Sequence, residues 1–363
     1  PIQAVWKDRN KDTYINQDDL SIMKKSILLG TAITFLLLSA CSGRVVDDVP
    51  NDKPSITYKY YEGGYGTYNK SQVEKFNARA RKGEFDFYVK GVPDSAISSK
   101  LKSLLEQAAE SDKVAVPDVV LINELKVLVK KNWNIIKVGR THLQDATPVR
   151  LGQEISAWVA MLENSRDMIL DANKYINQLC IGGTAVGTGL NTPKGFDKSV
   201  CDELSKMIGI KFSALPNKFQ GLSSKDSVSH YHAALKTLAE SLIKIANDVR
   251  FLASGPNCGI GEIIIPSNEP GSSIMPGKVN PTQCEAMMML CIRVIGNDTC
   301  VTLGNAMGNY QLNTFMPMMI YSINQSINLL ADGMDSFTRK CVIGIQPNLK
   351  KIEFNLYRDL MLV

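Results

Sequence analysis

The chain changes its hydrophobic rhythm about a third of the way along. From about Leu121, apolar residues recur at steps of three and four, the spacing that lines one face of an α-helix. The clearest run is 231–254, where Leu235, Leu238, Leu242, Ile245, Val249 and Leu252 form a heptad stripe that predicts a long helix needing a helical partner. Glu240, Lys244 and Asp248 follow at four-residue spacing on another face, a supporting charge ladder. The segment after Pro281 (Cys284, Ala286, Met287, Met288, Met289, Leu290, Ile292, Val294, Ile295) is apolar nearly all round. Such a helix is expected to be buried on every side, deep in a bundle or at a subunit interface. Pro317 predicts the start of another long helix running through Leu330. Period-two alternation is scarce, so the fold class expected over 121–363 is all-α, a bundle of long helices.

The first 120 residues read differently. Residues 1–22 are polar and without clear periodicity. Met23-Lys24-Lys25 forms a positive n-region, and the apolar run 26–38 has signal-peptide length, too short to span a bilayer comfortably. The run ends in Leu38-Ser39-Ala40-Cys41, which resembles a bacterial lipoprotein lipobox and implies lipidation at Cys41. Residues 42–120 hold Tyr-, Lys- and Gly-rich stretches such as 58–65 and no catalytic constellation, so a small secreted-type or poorly ordered segment is expected there. The expected organisation is therefore 1–22, 23–41, 42–120 and 121–363.

Composition narrows the function classes. At 363 residues, 44% apolar and 21% charged, the chain can bury a sizeable core. The net charge of +5 is modest, and the densest basic stretch, 70–82, lacks the aromatics and Arg density of a nucleic-acid surface. The eight cysteines are scattered without a CxxC pair, which fits reduced, buried thiols. With only three histidines, His142, His230 and His232, a His/Cys metal site is not expected. His230 and His232, at the head of a polar-faced helix, are expected on the surface.

Three polar, glycine-punctuated segments interrupt the helices, where function usually sits. They are Gly139-Arg140-Thr141-His142-Leu143-Gln144-Asp145-Ala146-Thr147-Pro148, the glycine-rich stretch 182–192, and Gly271-Ser272-Ser273-Ile274-Met275-Pro276-Gly277-Lys278-Val279-Asn280-Pro281. The second lacks GxGxxG spacing and a preceding strand, so tight packing rather than nucleotide binding is expected. In the third, Pro281 stands at a helix start whose free N–H groups and positive dipole favour an anion. Lys278 and Asn280 add a cation and an amide donor, and the composition alone fits a carboxylate site and an exposed surface loop equally well.

Together these segments resemble the fumarase/aspartase superfamily, whose signature is a GSSxMPxKxNP loop, over about 121–363. Thr141-His142 and Pro276-Gly277-Lys278 look like class II fumarate hydratase, whereas aspartate ammonia-lyases usually carry Thr-Gln and Pro-Ala-Lys. The resemblance implies reversible addition of water to fumarate, giving L-malate, in a homotetramer without metal or cofactor. It implies Ser272 as the proton-abstracting base, His142 as the residue on the water side, and Glu285 as the carboxylate orienting that histidine. Thr141, Ser273, Lys278 and Asn280 would bind the substrate carboxylates. Aspartate ammonia-lyase is the alternative within the superfamily; an envelope lipoprotein carrying a non-enzymatic bundle is the alternative outside it. The fumarase part implies a cytoplasmic location; the lipobox implies an envelope membrane through Cys41.

Against the family pattern no Ser-Ser-Asn segment precedes Gly139, the stretch 121–137 looks shortened, and the sequence stops at Val363 where fumarases continue into a small C-terminal domain. Activity of this polypeptide by itself is accordingly expected to be impaired, and the upstream third to be an unrelated sequence joined to a lyase region.

Overall fold

The computed structural model describes residues 55–60, 88–93, 117–269, 274–275 and 277–359. The lipobox with Cys41 lies outside the described residues, as do Ser272 and Ser273. Upstream, β1 (Ser55–Tyr60) and β2 (Tyr88–Pro93) pair in parallel, Ser55 opposite Tyr88.

From Pro117 onward the chain is mostly helical. The long elements are α1 (Pro117–Asn132), α2 (Leu151–Ile176), α5 (Asp226–Leu252), α6 (Thr282–Ala306) and α7 (Met316–Lys340). Between α2 and α5 lie α3 (Phe196–Ile208) and the short α4 (Lys218–Ser223); α8 (Leu349–Leu356) follows α7. The long helices pack as a closed ring: α1 on α2, α2 on α5, α5 on α6, α6 on α7, and α7 back on α1. Every residue of the stripe predicted on α5 is buried, with Ile245 and Val249 fully inaccessible, so the heptad spacing marked the seam of the bundle. Each such side chain contributes about 1.5–3 kcal/mol by leaving water. Gly152 lets α2 start directly against the end of α1, because a Cβ there would meet the Cα of Trp133 at 2.7 Å. The charge ladder on α5 is present only in part: Lys244 pairs with Asp248, whose carboxylate also accepts from the indole N–H of Trp158 on α2 at 2.9 Å.

Three expectations are corrected. His232 is not a surface residue but fully buried inside the ring. Its ring nitrogens lie 3.0 Å from Asp298 Oδ1 on α6 and 2.9 Å from Ser326 Oγ on α7, while His230 is exposed as expected. The stretch 139–148 is not a loop between helices. It forms most of a hairpin, β3 (Ile136–Thr141) against β4 (Gln144–Arg150). Finally, α6 is not covered on every side by this chain. Cys284, Met287, Cys291, Val294 and Val301 are inside, but Met289, Ile292 and Leu303 are 65%, 61% and 57% exposed. Among the described residues α6 is the one helix long and apolar enough to cross a membrane, and it runs between α5 and α7.

The remaining strands are two-residue pairs. β5 (Gln178–Leu179) pairs with β6 (Ser213–Ala214), and β7 (Ile263–Ile264) with β8 (Gln346–Pro347). The second pair ties the α5–α6 connection to the C-terminal end of α7. Cys201, Cys284, Cys291 and Cys341 are buried thiols, whereas Cys258 and Cys300 are exposed.

Candidate active site

The hairpin carrying Thr141 and His142 is closed by an unusual turn. Thr141 pairs with Gln144, so the connection is His142-Leu143 alone, with φ of 54° and 60°. Two successive left-handed residues give the turn whose twist matches that of antiparallel strands, and glycine or asparagine normally fills it. Leucine in that region costs about 1–2 kcal/mol. The tip is exposed, with Leu143 at 67%, so packing around the tip does not require these residues. Backbone strain retained at an exposed tip points to a functional constraint. Lower in the hairpin the register slips at Thr147, and Gly139 is required there because a Cβ would stand 2.4 Å from the Thr147 carbonyl oxygen.

The base of the hairpin is pinned by buried charges. Arg140 reaches Glu262 through two parallel hydrogen bonds of 3.0 and 2.7 Å. Lys137 Nζ stands 3.1 Å from the same carboxylate and 3.0 Å from Glu154 on α2, and donates to the Val138 carbonyl. Asn355 of α8 donates to Glu262 at 3.0 Å. Glu262 and Lys137 are essentially inaccessible. Burial by itself pushes the Glu262 carboxyl up, but the Arg140 hydrogen bonds and the Lys137 charge outweigh it and hold the carboxyl below its ordinary value.

The second part of the site precedes α6. Lys278 donates its backbone N–H to Met275, and Gly277 takes a φ of 81°, a left-handed bend that glycine accommodates. Lys278 and Asn280 are exposed. Pro281 occupies the N-cap position of α6 rather than its first turn, and the helix has no side-chain cap, which leaves N–H groups and the positive helix end facing the loop. The Thr282 hydroxyl is buried there without a hydrogen-bond partner, and Glu285 lies exposed in the first turn. Among the described residues, the side chains of Thr141, His142, Lys278, Asn280 and Glu285 make no hydrogen bond or ion pair with one another. Within one chain the expected His142–Glu285 couple is not formed. Thr141 ends β3, His142 stands in the turn, Lys278 and Asn280 lie in the loop before α6 and Glu285 in its first turn, and none of these side chains is engaged by another described residue.

The glycine-rich stretch 182–192 packs tightly against two helices: a Cβ on Gly182 would stand 3.1 Å from Asp197 of α3, and one on Gly183 3.1 Å from Leu222 of α4. Gly187, with φ of 99°, lies against Phe219 of α4, where a Cβ would meet the ring at 2.7 Å. No group of three or more metal-ligating side chains occurs among the described residues.

A lyase family model matches residues 107–296, which contain both the hairpin and the loop before α6. The class II fumarate hydratase of Bacillus subtilis is 56% identical over 243 residues, covering 67% of this chain and 53% of that protein. The class II fumarate hydratase of Helicobacter pylori strain 26695 is 54% identical over 246 residues, covering 67% and 53%. The crystal structure of recombinant class II fumarase from Schistosoma mansoni superposes with a TM-score of 0.67 at 36% identity, over 72% of this chain and 58% of that one. The chain thus spans about half the length of the curated relatives it matches.

Proposed function

Because the chain belongs to the lyase family over residues 107–296, we propose that this region is the catalytic core of a class II fumarate hydratase. Its reaction is the reversible addition of water to fumarate, giving L-malate. In the elimination direction a base takes the proton next to one carboxylate, which passes through a doubly negative form. Stabilising that charge supplies most of the rate. Lys278, Asn280 and the uncapped start of α6 form a cationic, donor-rich face suited to this charge. Thr141 and Ser273 add hydrogen bonds. Ser272 acts as the base, and it requires donors or a cation to stabilise its alkoxide. His142, oriented by Glu285, handles the water or hydroxyl on the opposite side. The observation that carries the reading is that one matched region holds both the strained His142 tip and the Lys278 loop, exposed and unpaired.

These groups meet between copies of the chain, in a homotetramer. The open stripe of α6, where Met289, Ile292, Gly296, Cys300 and Leu303 follow one another at steps of three and four, supports such an assembly. Large exposed apolar patches mark interfaces. A charge on that stripe should break it: Ile292→Lys is expected to keep its helical circular dichroism but sediment as monomer. A wild-type chain that is itself monomeric, or a variant that keeps the wild-type mass, would remove α6 from the interface.

The hydratase reading places the lyase region in the cytoplasm, with the export-type sequence around Cys41 belonging to another context. Ultraviolet absorbance of fumarate, followed after adding malate or aspartate, tests the activity. Appearance of fumarate from malate is expected. Fumarate from aspartate with ammonia released, and none from malate, would replace the hydratase by an ammonia-lyase.

A further inference from the structure

Glu262 lies outside the three polar segments and touches none of the groups assigned to substrate, yet it is the most heavily engaged carboxylate in the described residues. Its two oxygens accept from Arg140, Lys137 and Asn355, side chains from β3 and α8. Its backbone is fixed as well: the Glu262 N–H donates to Leu252 at the end of α5, and its carbonyl accepts from Asn348. The cluster balances two cations, Lys137 and Arg140, against two carboxylates, Glu154 and Glu262. It joins β3, α2, α8 and the residue immediately before β7 at one point.

Arg140 is the residue immediately before Thr141, two positions from the strained tip. Lys137 and Arg140 are three apart, so a regular strand would direct them to opposite faces. The irregularity at Val138/Gly139, where Thr147 is the extra residue on β4, adds local twist, and both side chains reach the same carboxylate. A bidentate arginine fixes direction as well as distance, which a single point charge does not. By contrast, most of β4 and the hairpin tip are exposed, and little apolar packing holds them. The orientation of the tip therefore depends on its base.

We propose that Glu262 is a positioning residue for the hydration reaction, acting through Arg140 and Lys137 to aim the Thr141–His142 tip at the substrate. This rests on the hydratase reading for its catalytic half only. The clamp itself is readable without turnover.

The test uses Glu262→Gln and, as a milder change, Arg140→Lys, each in the full chain. Amide exchange measured by mass spectrometry across 136–150 is expected to quicken about tenfold or more, while peptides from 235–249 in α5 stay at wild-type rates. In turnover of malate, kcat is expected to fall with KM little changed, and the limb of the pH profile that reports the imidazole is expected to move. Hairpin exchange at the wild-type rate in both variants would overturn the clamp. A loosened hairpin with kcat and pH profile unchanged would overturn the positioning role. If Glu262→Gln does not fold, Arg140→Lys decides by the same readings. Absence of turnover in the wild-type chain counts against the hydratase reading alone, and exchange still decides the clamp.

Discussion

Lys278→Ala is expected to lower the rate of fumarate hydration by about 10²–10³-fold, the loss typical of removing one group that stabilises a developing oxyanion. The size follows from simple electrostatics. The transition state carries one more negative charge on the bound carboxylate than the ground state does. A fixed cation about 4 Å away is worth about 4 kcal/mol against that charge at an effective dielectric constant of about 20, and each 1.36 kcal/mol is about a factor of ten in rate. The fold should not notice the change. Lys278 is exposed, its side chain makes no ion pair or hydrogen bond with another described residue, and such substitutions usually stay within about 0.5 kcal/mol. Initial rates by fumarate absorbance, with mass by light scattering and melting on the same sample, separate the two roles. A variant that loses mass or melts early would make Lys278 structural; one that keeps full turnover would take the carboxylate off the α6 helix start.

The bundle was legible in the sequence because burial imposes a period. The stripe from Leu235 to Leu252 needed only spacing to be read, and it predicted both a helix and a buried face. The same stripe held an unread signal: His232 lies one step of three before Leu235, in line with the seam, and it is buried. The hairpin was not legible. Its turn is His142-Leu143, residues that carry no turn signature, and the positive φ values run against their local preference. Glu262 was a lone charge in the apolar run Ile260-Gly261-Glu262-Ile263-Ile264-Ile265, which is a warning of a buried partner. That partner, Arg140, is 122 residues away, and no local pattern reaches so far. Of the candidate site, the residue types at each position were readable. That they stand unpaired on separate elements was not, because a resemblance names the roles of residues and carries no distances between them.

The buried imidazole of His232 should make the bundle sensitive to mild acid. Burial pushes its pKa down, and the hydrogen bond and charge of Asp298 pull the other way without cancelling that effect; Lys236 on α5, 3.0 Å from Asp298 Oδ2, adds to the lowering. The hydrogen bonds describe a neutral ring: Nδ1–H donates to Asp298, and Nε2 accepts from Ser326, whose hydroxyl oxygen also accepts from Asn297 at 3.0 Å. Because the folded pKa lies below the unfolded value of about 6.5, the unfolded chain binds the proton first as pH falls. Stability is fully present above that value, and it drops as pH passes down through it, until the folded ring itself is protonated. Glu262 has the opposite charge type but the same direction in a lower window: its depressed carboxyl protects the fold above about pH 4.3, the unfolded value, and the protection is lost as pH falls through the folded one. Urea unfolding at pH 7, 6, 5, 4, 3 and 2 should therefore show two acid steps, the second below about pH 4.3. His232→Gln is expected to remove the upper step and leave the lower. Asp298→Ala is expected to cost about 3 kcal/mol at pH 7, because the imidazole N–H is left buried without an acceptor. An upper step that persists in His232→Gln would assign it to another group, and a cost below about 1 kcal/mol for Asp298→Ala would mean that water or a neighbouring side chain replaces the lost acceptor.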